Sequence, residues 1–218
     1  MKKTKVTENK RIKMTRLYDS AYELFTSNGV HNTVIDDIVK KAGVAKGTFY
    51  LYCKNKYDLV DKIILHKSSA LFDSAMKAVA EKHKTDKMDF TESVIFFVDY
   101  LLNYFKKNKD LLSLIYKNLS YGLYEKALTC EEMEEAKRVF IEHFITNGSN
   151  SEVAKQRLFI VVSMVGAVCY NSIVLEMPYP IDSIKHELYL SITELLSCLS
   201  ARESKFAKLL IISAHNME

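Results

Sequence analysis

The chain has 218 residues but only six glycines and two prolines, Pro178 and Pro180. A β sandwich or barrel needs turn residues every 8–12 positions or so, and a proline-free run of 177 residues excludes that class, as a composition of 48% hydrophobic and 27% charged residues excludes a collagen-like or disordered chain. The net charge of +4 is unevenly placed: residues 1–56 hold twelve Lys/Arg against five Asp/Glu, a net +7, and residues 57–218 hold nineteen against twenty-two, a net −3.

The expected fold is all-α. Met14, Leu17, Tyr18, Ala21, Leu24 and Phe25 recur at helical spacing, and Asn28-Gly29 supplies a stop. Thr33-Val-Ile-Asp36 reads as a start resembling a capping box. It is followed by an apolar face of Val34, Ile35, Ile38, Val39 and Ala42 that ends at Gly43. A second short piece runs over 44–53, and Asn55 with Asp58 three positions later caps a further helix. Two short helices joined by a Gly-containing turn, here about 34–53, form a helix-turn-helix outline. Its second helix would enter a DNA major groove by its amino-terminal end. That end offers Lys46, Gly47, Thr48, Tyr50 and Tyr52, which suit phosphates, base edges and close backbone approach. Any small helical bundle has short helices and Gly turns, so the positive charge of this same segment is what favours DNA.

The first eleven residues hold five Lys/Arg and one Glu. Such an arm can reach a minor groove or stay a solvated tail. Beyond residue 56 the periodicity predicts helices over 58–83, 90–107, 111–128, 131–144, 152–176, 181–199 and 203–213. Residues 158–175 hold no charge and just reach the length of a membrane span. Ser163, Gly166, Asn171 and Ser172 interrupt them, and a buried core or subunit-interface helix is the favoured reading over a span.

Four cysteines, Cys53, Cys130, Cys169 and Cys198, form no C-x-x-C pair. Neither a zinc site nor a disulfide framework is expected, and no cofactor. Reduced thiols and an amino terminus without an apolar signal region point to the cytoplasm. The six histidines fall at positions 31, 66, 83, 143, 186 and 215 with no catalytic or metal-ligating spacing, so no enzyme activity is expected.

The run Thr33-x-x-Asp36-Asp-Ile-Val-x-x-Ala42-Gly43-Val44-Ala45-Lys46-Gly47-Thr48-Phe49-Tyr50-x-Tyr52-Cys53-Lys54-Asn55-Lys56-x-x-Leu59 resembles the tetracycline-repressor (TetR) family of bacterial transcriptional regulators. The resemblance covers about residues 11–71. It implies a three-helix DNA-binding head there and a helical effector-binding and dimerisation domain over 72–218. It departs from the family at Cys53, where an aromatic is usual, and at Ala45, where serine usually caps the recognition helix. It assigns Thr33, Lys46, Tyr50 and Lys56 mainly to phosphates, Thr48 and Tyr52 to base edges, and Gly47 to the groove floor, with Lys54 as a further DNA-binding candidate. Tyr50 and Tyr52 are also consistent with packing roles in the head.

For the body, the resemblance implies an effector pocket among the central aromatics. Phe97, Tyr100, Leu101 and Tyr104 share a helix face and are its candidates, with ordinary core packing as the competing reading. Glu92, Asp99, Asn103 and Lys106 fall on one stripe that reads as solvated. Leu158, Val162, Val165 and Cys169 on one helix, with Leu188, Ile192, Leu195 and Leu199 on another, are expected to form a four-helix dimer interface. The whole then reads as a homodimeric repressor, released from palindromic double-stranded operator DNA by a largely apolar small molecule, with no membrane partner. A helical interaction or membrane-surface protein is the alternative.

Overall fold

The computed structural model describes residues 2–118, 131–146 and 148–197, and these contain helices and no strand. In chain order the helices are α1 (Lys2–Asn28), α2 (Ile35–Ala42), α3 (Lys46–Tyr52), α4 (Lys56–Thr85), α5 (Phe90–Lys107), α6 (Lys109–Asn118), α7 (Glu131–Thr146), α8 (Ser151–Cys169) and α9 (Ile181–Leu196). α8 runs on as a wider π-helical turn, Tyr170–Leu175. The basic amino-terminal arm is the first part of α1. The helix expected over 203–213 and the end of the one expected over 111–128 lie outside the described residues.

Two compact units divide the chain, the first formed by residues 2–72 and 107–118, the second by 73–106, 131–146 and 148–197. The first has a single apolar core. Leu17, Ala21 and Phe25 enter it from α1, Ile38, Val39 and Ala42 from α2, Phe49 from α3, and Leu59, Val60 and Ile63 from α4. Leu114 of α6 joins the same core, although sequence had placed it in the body. An amphipathic face records that a helix packs, not which neighbour it packs on.

Local chemistry explains the short helices. Gly43 ends α2 at φ +64°, a left-handed position where its N–H reaches the carbonyls of Lys40 and Val39. α3 has seven residues and no side-chain cap at Ala45, so it is too short to stand alone. Phe49, 0% exposed, and Cys53 pin it to the core. Burial pushes the Cys53 thiol up, which makes it an inert packing group. Asn55 caps α4 as expected, its Oδ1 accepting from the N–H groups of Tyr57 and Asp58 at 2.9 Å each.

In the second unit, Ala154, Arg157, Val161, Val165 and Cys169 form the inward stripe of α8. α9 answers with Ile181, Leu188, Ile192 and Leu196, α5 with Val98, Leu101 and Leu102, and α7 with Phe140 and Phe144. The stripe expected to be solvated is exposed at Glu92, Asn103 and Lys106, and only Asp99 is half-buried, in a polar contact joining α5 to α9. Asp99 Oδ1 accepts from Lys185 Nζ at 2.8 Å and from the Tyr189 hydroxyl at 2.5 Å. Asn103 donates to Asp99 Oδ2 at 2.9 Å, and Lys106 pairs with Asp182 at 2.8 Å. Helical spacing groups these residues, but their polar partners on α9, Asp182, Lys185 and Tyr189, lie 76 to 90 residues away in sequence.

Candidate nucleic-acid interface

The recognition surface follows from which side of α3 is used for anchoring. Phe49 and Cys53, four residues apart, set the buried side. Lys46, Gly47, Tyr50 and Leu51 are therefore exposed, and Thr48 and Tyr52 are half-buried. Tyr50 packs edge-on against Phe49 at 5.2 Å and is itself exposed. Leu51 is 80% exposed. It was missed as a candidate by sequence, although its offset of two from Phe49 already puts it on the far side of the helix.

A shallow cleft of about 380 Å³ lies between the start of α2, α3 and the start of α4. Lys46, Tyr50, Asn55, Lys56, Tyr57 and Val34 line it with Thr33, Ile35 and Asp36. Lys46 Nζ sits 2.6 Å from Asp36 Oδ1, and this hydrogen bond raises its pKa. The ion pair holds the ammonium at the cleft edge, where a phosphate can exchange for the carboxylate. Lys54 is exposed, its backbone N–H bound to Asp58 Oδ2 at 2.8 Å.

Thr33 differs from expectation. Its side chain is 1% exposed, and the hydroxyl donates to the Gly29 carbonyl at 2.8 Å and lies 3.2 Å from that of Leu24. α2 begins with Val34 as its cap residue and has no side-chain cap bond, so the expected capping box does not form. The hydroxyl ties the turn after α1 to α1 itself and is not presented to a solvent-side phosphate. Lys56 has a related role: Nζ donates to the carbonyls of His31 at 2.6 Å and Thr33 at 3.0 Å. It staples the α1–α2 turn to α4 while leaving its charge at the cleft. The Tyr52 hydroxyl lies 3.5 Å from the Lys10 carbonyl of α1, so this ring bridges two helices.

The candidates in the second unit divide similarly. Phe97, Tyr100 and Tyr104 are half-buried, whereas Leu101 is buried as a packing residue. Val165, Cys169, Leu188 and Ile192 are buried within the protomer, Val165 at 8% exposure, and this corrects their placement on a dimer surface. Leu158 and Leu195 are half-buried, Val162 is exposed, and Leu199 lies outside the described residues. The exposed large apolar residues of α8 are Phe159, at 51% exposure, with Ile160 and Val162. α8 with its π-helical turn is long and apolar enough to cross a membrane by length and composition, yet only 28% of that apolar window is buried. The sequence pattern is apolar on all sides, and the tertiary fold covers one of them.

A short helix anchored by Phe49, with a basic and hydroxyl-bearing outer face behind a Gly-ended turn, defines a helix-turn-helix DNA-binding head. Residues 17–63 match the family model described as bacterial regulatory proteins, tetR family. The head is therefore similar to that of the tetR family, and the match spans about a fifth of the chain. It is 36% identical over 75 residues to the fatty acid metabolism regulator protein of Bacillus subtilis, covering 34% of this chain and 39% of that protein. It is 26% identical over 148 residues to the uncharacterized HTH-type transcriptional regulator YvdT of the same organism, covering 64% and 73%. The fold resembles the transcriptional regulator FadR of Bacillus subtilis in complex with stearoyl-CoA, with a TM-score of 0.60, 18% identity and coverage of 84% and 97%. A fatty acid degradation regulator FadR from Bacillus halodurans gives a TM-score of 0.59 at 18% identity, covering 86% and 96%.

Proposed function

We propose that the protein is a homodimeric, ligand-responsive transcriptional repressor that binds palindromic double-stranded operator DNA. The outward face of α3 carries this reading. Lys46, Gly47, Thr48, Tyr50 and Leu51 meet the groove, with Lys46, Lys54 and Lys56 supplying charge to the backbone. Leu51 suits a thymine methyl group, the apolar feature of the major groove. Chromosomal DNA as partner makes the protein cytoplasmic, and its role is binding, not catalysis.

The second unit holds the effector and the dimer contact. The half-buried aromatics Phe97, Tyr100 and Tyr104 of α5 are candidates to line the effector site. Phe159, Ile160 and Val162 of α8 form the self-complementary face, because an open apolar side of this kind is stable in water only when covered. A coupling of about 1–3 kcal/mol between effector and operator would change DNA affinity by about 5–150-fold. Selection of bound sequences from random duplex DNA tests the reading. The expected result is a palindromic consensus bound with a steep salt dependence. No enrichment over random sequence, or a protein that purifies only in detergent, would sink it in favour of a membrane-surface role for the apolar α8.

A further inference from the structure

Arg157 is the one charged side chain on the inward stripe of α8. It is 9% exposed, and its Nη1 is buried with no hydrogen-bond partner. The guanidinium carbon lies 4.8 Å from the centre of the Phe144 ring, which is itself 0% exposed. Phe144 packs against Phe140 at 5.1 Å and Phe90 at 6.2 Å, and His143 stacks on Phe90 at 3.7 Å. Arg157 thus stands over an aromatic wall contributed by α5 and α7.

This arrangement is unfavourable within the protomer alone. A buried lysine or histidine can shed its proton, but a guanidinium stays charged. The Phe144 ring compensates one face of the guanidinium plane. An aromatic ring accepts no conventional N–H···O hydrogen bond, and Nη1 has no such partner. Removing a charge from water without a paired anion is unfavourable. Among the described residues no carboxylate or carbonyl accepts from Arg157. A cation held in this way is complementary to an anion arriving from outside.

We infer that Arg157 anchors the acidic head of the effector, and that the effector is an anionic amphiphile: a carboxylate or phosphate carried on an apolar body that starts at the half-buried Phe90, beside the buried Phe140–Phe144 pair. This rests on the ligand-responsive reading above and names the chemistry of its ligand. The aromatic wall has a natural continuation. The half-buried Phe90, Phe97 and Tyr104 share one face of α5, a stripe of about 21 Å at 1.5 Å per residue.

The test compares wild-type protein with Arg157→Met and Arg157→Lys. Melting temperature and affinity are measured with oleate, stearoyl-CoA, coenzyme A alone and the uncharged oleyl alcohol. Without a probe, Arg157→Met should melt at or above the wild-type temperature, because it removes an uncompensated charge and keeps the volume. An anionic amphiphile should stabilise the wild type and bind Arg157→Met about ten- to a hundred-fold more weakly. Arg157→Lys should retain part of that affinity, and oleyl alcohol should not discriminate among the three. Binding of oleate identifies a carboxylate at Arg157, whereas binding of stearoyl-CoA with competition by coenzyme A identifies a phosphate. The inference is overturned if Arg157→Met is markedly destabilised or fails to fold, since Arg157 would then have a partner within the chain. It is equally overturned if no anionic probe binds the wild type, or if wild type and Arg157→Met bind them alike. Operator selection with the same proteins keeps the two readings apart: loss of DNA recognition in the wild type removes the regulator, while the probe comparison alone decides Arg157.

Discussion

Aspartate placed at Phe159 and at Val165 should produce two different failures, although the residues are six positions apart on one apolar helix. Phe159 is 51% exposed in the protomer, and Val165 is 8% exposed. A phenylalanine presents on the order of 200 Å², so covering the open half of Phe159 removes about 100 Å² from water. At ~25 cal/mol per Å² that is about 2.5 kcal/mol. A two-fold interface contains the residue twice, for about 5 kcal/mol per dimer. Phe159→Asp forfeits at least this much and should weaken the dimer by roughly three to four orders of magnitude. The protomer should keep its helical signal and melting behaviour, because the new carboxylate stays in water when the subunits separate. Val165→Asp instead buries an unpaired charge between α8 and its neighbours. The several kcal/mol involved is a large part of a total stability of about 5–15 kcal/mol, so unfolded or insoluble protein is expected. Light scattering behind a sizing column over a range of concentrations, with melting followed by circular dichroism, reads both. A Phe159→Asp dimer that dissociates like wild type, together with a soluble, folded, monomeric Val165→Asp, would refute the assignment and return the interface to the inward stripe.

Thr33→Val should lower stability by about 1–2 kcal/mol through loss of the hydroxyl bonds to Gly29 and Leu24, with the salt slope of operator binding unchanged. Lys46→Ala should do the opposite, leaving the melting temperature in place and reducing the salt slope by about 0.9; titrations at several salt concentrations separate the two. Leu51→Ser should keep overall affinity for duplex DNA but alter the selected consensus at a thymine position, and an unchanged consensus would remove Leu51 from base contact. Desolvation raises the pKa of Asp99, yet the hydrogen bonds from Lys185 and Tyr189 outweigh it and leave it lowered. A carboxylate lowered on folding contributes stability above its unfolded value of about 3.9 and loses it as pH falls through the folded value. Asp99→Asn should therefore melt below wild type at neutral pH, with the gap closing in acid; a gap independent of pH between 3 and 7 would refute the charge-based contact.

The features legible in the sequence are those that depend on residues a few positions apart. The spacing of apolar side chains every three to four residues marked the helices. Asn55 capping α4 and Gly43 closing α2 are chemical events within one turn of chain, so the residues alone announced them. The outer face of the recognition helix follows from the same local geometry, which is why Lys46, Gly47 and Tyr50 were found and Leu51 was findable.

What tertiary structure decided is where each apolar or polar face finds its partner. Thr33 sits at a helix-start signal, yet its hydroxyl turns back to a carbonyl nine residues earlier. Val165 and Phe159 look alike in an eighteen-residue uncharged run, and only the neighbouring helices make one core and the other surface. Asp99 became structural when Lys185 and Tyr189 arrived from α9, and Arg157 became a buried, unpaired cation when α7 brought Phe144 over it. Periodicity specifies that a face will be covered, because water penalises bare apolar surface wherever it lies. It carries no information about the covering group, since burial is non-directional and its partners are brought together only by the path of the whole chain.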